Sequence, residues 1–190
     1  MMKKKFYSWN DIETMCMTIA NKMHKDNWIP DYIVGITRGG NVPATILSNM
    51  LSVRCEALKV SLRDAGDGPS MESNCWMAED AFGYNYEPVT GITGARWDPS
   101  LRKKILIVDD INDSGDTFQW IKNDWESSCL PQEDIAWKAV WHHNVKFAAL
   151  TYNISSKFDI DYWADECNKL EEDLWQVYPW EVVGNYEICT

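Results

Sequence analysis

The chain has 190 residues and a formal net charge of −11, long enough for one domain, spanning 1–190, with a sizeable core. The acidic balance argues against nucleic acid as a partner, because a phosphate backbone demands a basic face. Six scattered cysteines without a Cys-x-x-Cys pair suggest neither a zinc site nor a disulfide framework, and a reducing cytoplasmic setting fits them.

The basic start, Met1 to Lys5, is followed by Asn10, Asp11 and Glu13 rather than an apolar run, so it does not read as a signal peptide. No stretch is long enough to span a membrane. Ser8 precedes Ile12, Met15, Ile19 and Met23 at helical spacing, with Asp11 as capping-box partner, and this helix should end near Asn27. Tyr32–Ile36 reads as a short buried strand. Thr37-Arg38-Gly39-Gly40 follows it. Paired glycines let a backbone approach an anion, and Arg38 adds fixed positive charge. Pro43 opens a helix through Leu51, and Glu56–Val60 is the next strand.

Residues 63–100 form the least regular part, broken by Gly66, Gly68, Pro69, Gly83, Pro88, Gly91, Gly94 and Pro99. A loop of this length is expected to be functional or mobile, and it carries Arg63 and Arg96. Lys104–Val108 is a strand buried on both faces, and it runs straight into Asp109 and Asp110, then Asp113-Ser114-Gly115-Asp116-Thr117. In open α/β sheets ligands bind at such strand ends. Small residues before a helix offer N–H groups to a phosphate, whereas paired carboxylates suit hydroxyls or a metal. Phe118, Ile121 and Trp125 mark the apolar face of the following helix, and Ile135–Trp141 is expected to be a further strand. The alternation implies an α/β fold with a parallel sheet and helices on both faces.

The order of buried strand, acid pair and Asp113–Thr117 loop resembles the signature of type I phosphoribosyltransferases. Arg38-Gly39-Gly40 resembles the pyrophosphate loop of the xanthine and hypoxanthine members. Asp161–Glu166 and Leu174–Glu181 resemble the tail of bacterial and archaeal 6-oxopurine members. That resemblance implies a core over about 28–145, a long flexible active-site loop over about 63–100, and a small hood from the chain ends, with its C-terminal part over about 160–190. It implies Mg²⁺-dependent transfer of a phosphoribosyl group from phosphoribosyl pyrophosphate to a purine-type base, in a homodimer or homotetramer.

By the same resemblance, Asp109 and Asp110 hold ribose hydroxyls and Mg²⁺, with Glu181 as a further metal ligand. Ser114, Gly115, Asp116 and Thr117 cradle the 5′-phosphate, and Arg38, Gly39 and Gly40 bind pyrophosphate across a cis Thr37–Arg38 peptide. Asp113 exchanges a proton with the base. Trp175 stacks on the base with Val177 beside it. Purine members place a lysine after the strand expected to end at Trp141. Here His143 aligns with it, with Lys146 as a neighbouring alternative, which opens the acceptor to a pyrimidine or another nitrogenous base. A catalytically weak nucleotide-sensing regulator on the same fold is the remaining alternative.

Overall fold

The computed structural model describes residues 3–62, 70–85, 96–131, 134–172 and 174–181. Strand β1 (Lys3–Phe6) leads into helix α1 (Trp9–Lys25). Ser8 caps that helix as its sequence predicts. Its hydroxyl accepts from the Asp11 N–H at 3.2 Å, and the Asp11 carboxylate accepts from the Ser8 N–H at 2.8 Å. Ile12, Met15, Ile19 and Met23 are all buried.

Strand β2 (Tyr32–Thr37) is followed by α2 (Asn41–Leu51), β3 (Arg54–Ser61) and the short β4 (Ser70–Met71). Then come α3 (Cys75–Phe82), β5 (Tyr84–Asn85), β6 (Arg96–Trp97), β7 (Ile105–Asn112) and α4 (Asp116–Ser128). The chain continues through α5 (Asp134–Trp137), β8 (Val145–Asn153), β9 (Tyr162–Cys167) and β10 (Leu174–Val177).

The main sheet runs β4-β3-β2-β7-β8-β9. The five strands from β3 to β9 are mutually parallel, and β4 is antiparallel at the edge. Alternate residues of β7 face opposite ways. Ile105 and Ile107 join a core with α3 and α4, through Ala78, Phe82, Phe118, Ile121 and Trp125. Leu106 and Val108 join a second core with α1 and α2, through Ile12, Ile19, Ala44 and Leu47. Covering both faces is what makes the central strands continuously apolar.

From β2 the chain crosses to β3 on one side, and from β7 it crosses to β8 on the other. The direction of winding therefore reverses between β2 and β7, which is where an open α/β sheet leaves a crevice at its carboxyl ends. The pairing of β2 with β7 stops at Gly35 opposite Val108, while β7 stays paired with β8 as far as Asn112. Over the same edge, β1 and β10 pair in parallel as a separate two-stranded sheet.

Several expectations are corrected. Ile135–Trp141 is not a strand: α5 ends at Trp137 and a turn follows. Trp137, Val140 and Trp141 are nonetheless buried, because the apolar run fills the α4 side of the core. The next strand is Val145–Asn153, one element later than expected. The irregular 63–100 region contains a helix, α3, whose Met77, Ala78, Ala81 and Phe82 are buried. Cys75 and Cys129 are joined by a disulfide, 54 residues apart in sequence, where the scattered cysteines suggested no disulfide framework. Among the described residues no helix is long and apolar enough to cross a membrane.

Candidate functional site

Asp109 and Asp110 occupy the overhang where β7 has lost β2 as a neighbour but keeps β8. The side chain of Asp110 turns back on its own strand and accepts from the Ile111 N–H at 2.8 Å. It presses against the β2–α2 turn so closely that a Cβ on Gly39 would collide with its carboxylate. A side chain at Gly39 would have to displace that carboxylate, and the glycine lets the Arg38-Gly39-Gly40 turn lie against the acid pair. The Thr37–Arg38 peptide is cis, as expected. Arg38 is exposed beside it. Burial, and next the charge of Glu181, push the Asp110 carboxyl up to about 6.

Two helices begin at this edge without a side-chain cap. Gly40 precedes α2 and Gly115 precedes α4. At α2 the Asn41 and Val42 N–H groups donate to the Arg38 and Gly39 carbonyls, and at α4 the Asp116 N–H donates to the Ser114 hydroxyl at 3.3 Å, so each start offers an anion its helix dipole and the N–H groups that remain. Gly115 has φ +89°, and a Cβ there would meet Phe158 Cβ at 2.5 Å, so the turn is fixed by both backbone shape and space. Ser114 donates its hydroxyl to the Asp116 carboxylate at 2.8 Å. The acidic side chain of Asp116 opposes a phosphate, so its contribution to an anion site is limited to its backbone N–H.

Asp113 stands at the head of the same loop and meets the opposite wall. The Asn153 amide donates to the Asp113 carbonyl at 3.0 Å, and Lys169 donates to Asp113 Oδ2 at 2.8 Å. The Lys169 ammonium also lies 6.0 Å from the centre of the Trp175 ring. Trp175 is 42% exposed on β10, with Val177 partly buried two residues on. Strands β1 and β10 therefore roof the loop head with an aromatic face turned partly to solvent.

This roof is fastened by residues that sequence reasoning passed over. Tyr178 is buried and donates its hydroxyl to the Asp110 carbonyl at 3.0 Å, within 2.9 Å of the Thr151 hydroxyl. Its ring stacks between Tyr7, at 5.2 Å, and Trp180, at 4.9 Å. Tyr7 in turn donates to Asp165 at 2.6 Å, and Lys5 pairs with the same carboxylate. The high tryptophan and tyrosine content near the tail was a signal of aromatic packing, but not of which ring turns inward.

His143 does not join the site. It precedes β8, beside the start of β7, at the amino end of the sheet and a strand's length from Asp109. Its carbonyl accepts from the Trp28 indole at 2.9 Å. Lys146 is at the same end, donating to the Tyr162 hydroxyl at 3.0 Å between the Trp28 and Tyr162 rings. The expectation failed because the apolar run before His143 is not the strand: the strand follows it, so His143 stands at the strand's start and not at its end. Arg63 and the side chain of Arg96 lie outside the described residues. Asp109, Asp110 and Glu181 do not form a ready cage, since among the described residues no group of three or more potential ligands is placed to hold a metal ion.

A sheet crevice with two uncapped helix starts, an acid pair between them and an aromatic roof is the setting in which the comparisons with known proteins fall. Residues 3–186 match the phosphoribosyl transferase domain model. The chain belongs to the phosphoribosyl transferase family. It is 28% identical, over an alignment of 207 residues, to the hypoxanthine-guanine phosphoribosyltransferase of Schizosaccharomyces pombe, covering 93% of this chain and 88% of that protein. It is 25% identical over 147 residues to xanthine phosphoribosyltransferase 1 of Saccharomyces cerevisiae, covering 70% of this chain and 65% of that protein. The crystal structure of a purine phosphoribosyltransferase from Pyrococcus horikoshii Ot3 superposes with a TM-score of 0.61, over 98% of this chain and 99% of that one. At 22% identity this is a likeness of fold.

For a phosphoribosyltransferase the donor set is suited to magnesium. Mg²⁺ keeps part of its water shell and typically takes one or two carboxylates plus substrate phosphates, rather than a closed protein cage. Asp109 and Asp110 supply two carboxylates, and the raised proton affinity of Asp110 marks a buried acid whose charged form a cation would stabilise.

Proposed function

We propose that this phosphoribosyltransferase joins a 6-oxopurine base to phosphoribosyl pyrophosphate, giving a nucleoside monophosphate and pyrophosphate. The observation that carries the reading is the contact of the Asp110 carboxylate with the Gly39 backbone. The glycine turn beside Arg38 and the acid pair lie at one point, which supports reading them as the pyrophosphate and hydroxyl sites of a ribose bearing a pyrophosphate at C1. The curated relatives that act on hypoxanthine, guanine or xanthine support the purine acceptor.

In this mechanism the N–H groups at the start of α4, with Ser114 and Thr117, hold the 5′-phosphate. Arg38, Gly39 and Gly40 hold the pyrophosphate. Asp109 and Asp110 bind the ribose hydroxyls and face the positive charge that builds on the ring as pyrophosphate leaves C1. Asp109 and Asp110 would hold Mg²⁺, which would supply positive charge toward the pyrophosphate. Trp175 stacks on the base, a contact worth roughly 1–3 kcal/mol, with Val177 at its edge and Glu181 below Asp110. Asp113 takes the proton that the base gives up as its ring nitrogen bonds to C1.

The test is nucleotide formation from phosphoribosyl pyrophosphate and Mg²⁺ with hypoxanthine, guanine, xanthine, adenine, uracil and orotate. Turnover with the oxopurines is expected. Turnover with a pyrimidine and no purine would overturn the acceptor. Binding of nucleotide without turnover on any base would make the chain a sensor.

A further inference from the structure

Resting on the reading above, we propose that Tyr178 is a positioning residue for the transfer reaction. Its hydroxyl pins the Asp110–Ile111 peptide, and through that peptide the Asp110 carboxylate.

One peptide plane joins the two groups. Its carbonyl, on Asp110, accepts from the Tyr178 hydroxyl at 3.0 Å. Its N–H, on Ile111, donates to Asp110 Oδ1 at 2.8 Å, while Oδ2 is the atom nearest to where a Gly39 Cβ would stand. A peptide unit is planar, so its carbonyl and N–H turn together. If the carbonyl swings off Tyr178, the N–H swings off the carboxylate, and the carboxylate loses its place against the glycine turn. The Asp110 N–H donates to Asp109 Oδ1 at 3.0 Å in the same way, so both acids are held by one run of backbone. Strand β2 does not steady that run, because the last β2–β7 pair is Gly35 with Val108.

The clamp has a single setting. A carbonyl only accepts, so the Tyr178 proton points at Asp110, and the Thr151 hydroxyl 2.9 Å away donates to the Tyr178 oxygen. Tyr7 gives its own proton to Asp165 at 2.6 Å and stands 3.4 Å from the Thr151 hydroxyl. The Tyr178 ring is buried and stacked between Tyr7 and Trp180, which keeps the hydroxyl from turning away. The carboxylate so held is one that takes ribose hydroxyls and faces the charge growing at C1. Loosening it weakens both the bound donor and its transition state, and leaves the acceptor base alone.

The experiment compares wild type, Tyr178→Phe and Tyr7→Phe. Each variant loses one hydroxyl of the roof and keeps its ring, and thermal unfolding confirms that each is folded. In calorimetry with phosphoribosyl pyrophosphate and Mg²⁺, Tyr178→Phe should bind about tenfold more weakly, the effect of one buried hydrogen bond, and Tyr7→Phe should bind as wild type does. In turnover with hypoxanthine, Tyr178→Phe should lower kcat and raise KM for phosphoribosyl pyrophosphate, with KM for hypoxanthine unchanged. A merely structural role would lower kcat through the active fraction and leave both KM values alone. That result would overturn the proposal, as would equal losses of affinity in the two variants. Hydrogen exchange at the Ile111 amide needs no substrate and separates this inference from the transfer reading. Exchange that is faster in Tyr178→Phe than in Tyr7→Phe or wild type supports the clamp even in a protein that binds no phosphoribosyl pyrophosphate. Unchanged exchange in Tyr178→Phe overturns it.

Discussion

Burial and the Glu181 charge raise the Asp110 carboxyl to about 6 from its usual 3.8. An acid whose folded value exceeds its unfolded one stabilises the fold while protonated, and that support is lost as pH rises through the folded value. Asp110 therefore helps the fold fully below about pH 4 and works against it above about pH 6. Asp110→Asn removes the penalty. At pH 7.5 the variant should be more stable than wild type by up to about 3 kcal/mol, since each tenfold change in proton affinity is worth about 1.4 kcal/mol, and the gap should close toward pH 4. Urea unfolding at the two pH values decides the matter, and an Asn variant no more stable at pH 7.5 would contradict the assignment. The same variant should bind phosphoribosyl pyrophosphate more weakly in Mg²⁺. Stability is here set against function, a common cost of crowding charge into a site.

Among the elements, the tie between α3 and the end of α4 has the plainest consequence. The Cys75–Cys129 bridge closes a loop of 54 residues, and the chain-entropy relation gives about 4 kcal/mol for such a closure. Reduction, or Cys129→Ser, should lower the unfolding temperature, and scans with and without dithiothreitol measure it. An unchanged transition would show that the two sulfurs are not bonded in solution.

Neither this bridge nor α3 was legible in the sequence, for physical reasons. Cysteine pairing depends on where distant segments meet, and α3 is a short helix enclosed by glycines and prolines that punctuate everything around it. By contrast Ser8, Asp11 and the Ile12–Met23 stripe described α1 fully, because cap and periodicity are local. Val108 to Thr117 was legible in order, since strand, acids and helix start are contiguous, but β7 runs on through Asp109 and Asp110 to Asn112 because β8 stays paired with it beyond the apolar run. The Ile135–Trp141 run misled because an apolar segment buried around a turn has the same composition as a strand. That error carried His143 into a site from which it stands at the far end of the sheet.

At the scale of the whole molecule, a net charge of −11 surrounds a site read here as one for a polyanion. Long-range repulsion should slow the encounter at low ionic strength, and salt should screen it over a Debye length of about 8 Å at 0.15 M. At fixed Mg²⁺, kcat/KM for phosphoribosyl pyrophosphate should therefore rise as sodium chloride goes from about 10 to about 150 mM. A fall over that range would mean that the local field at Arg38 and the helix starts outweighs the overall charge.

The roof over the site is made of β1 and β10, whose register sets Lys3 beside Leu174 and Phe6 beside Val177. These partners are almost the whole described chain apart, so their pairing closes the longest loop between paired strands among the described residues. Such contacts are late to form and early to open. The sheet crevice with its two helix starts is built from nearer neighbours and does not wait for them. A molecule whose roof has frayed therefore keeps the acid pair and the two helix starts together after Trp175 and Val177 have left them.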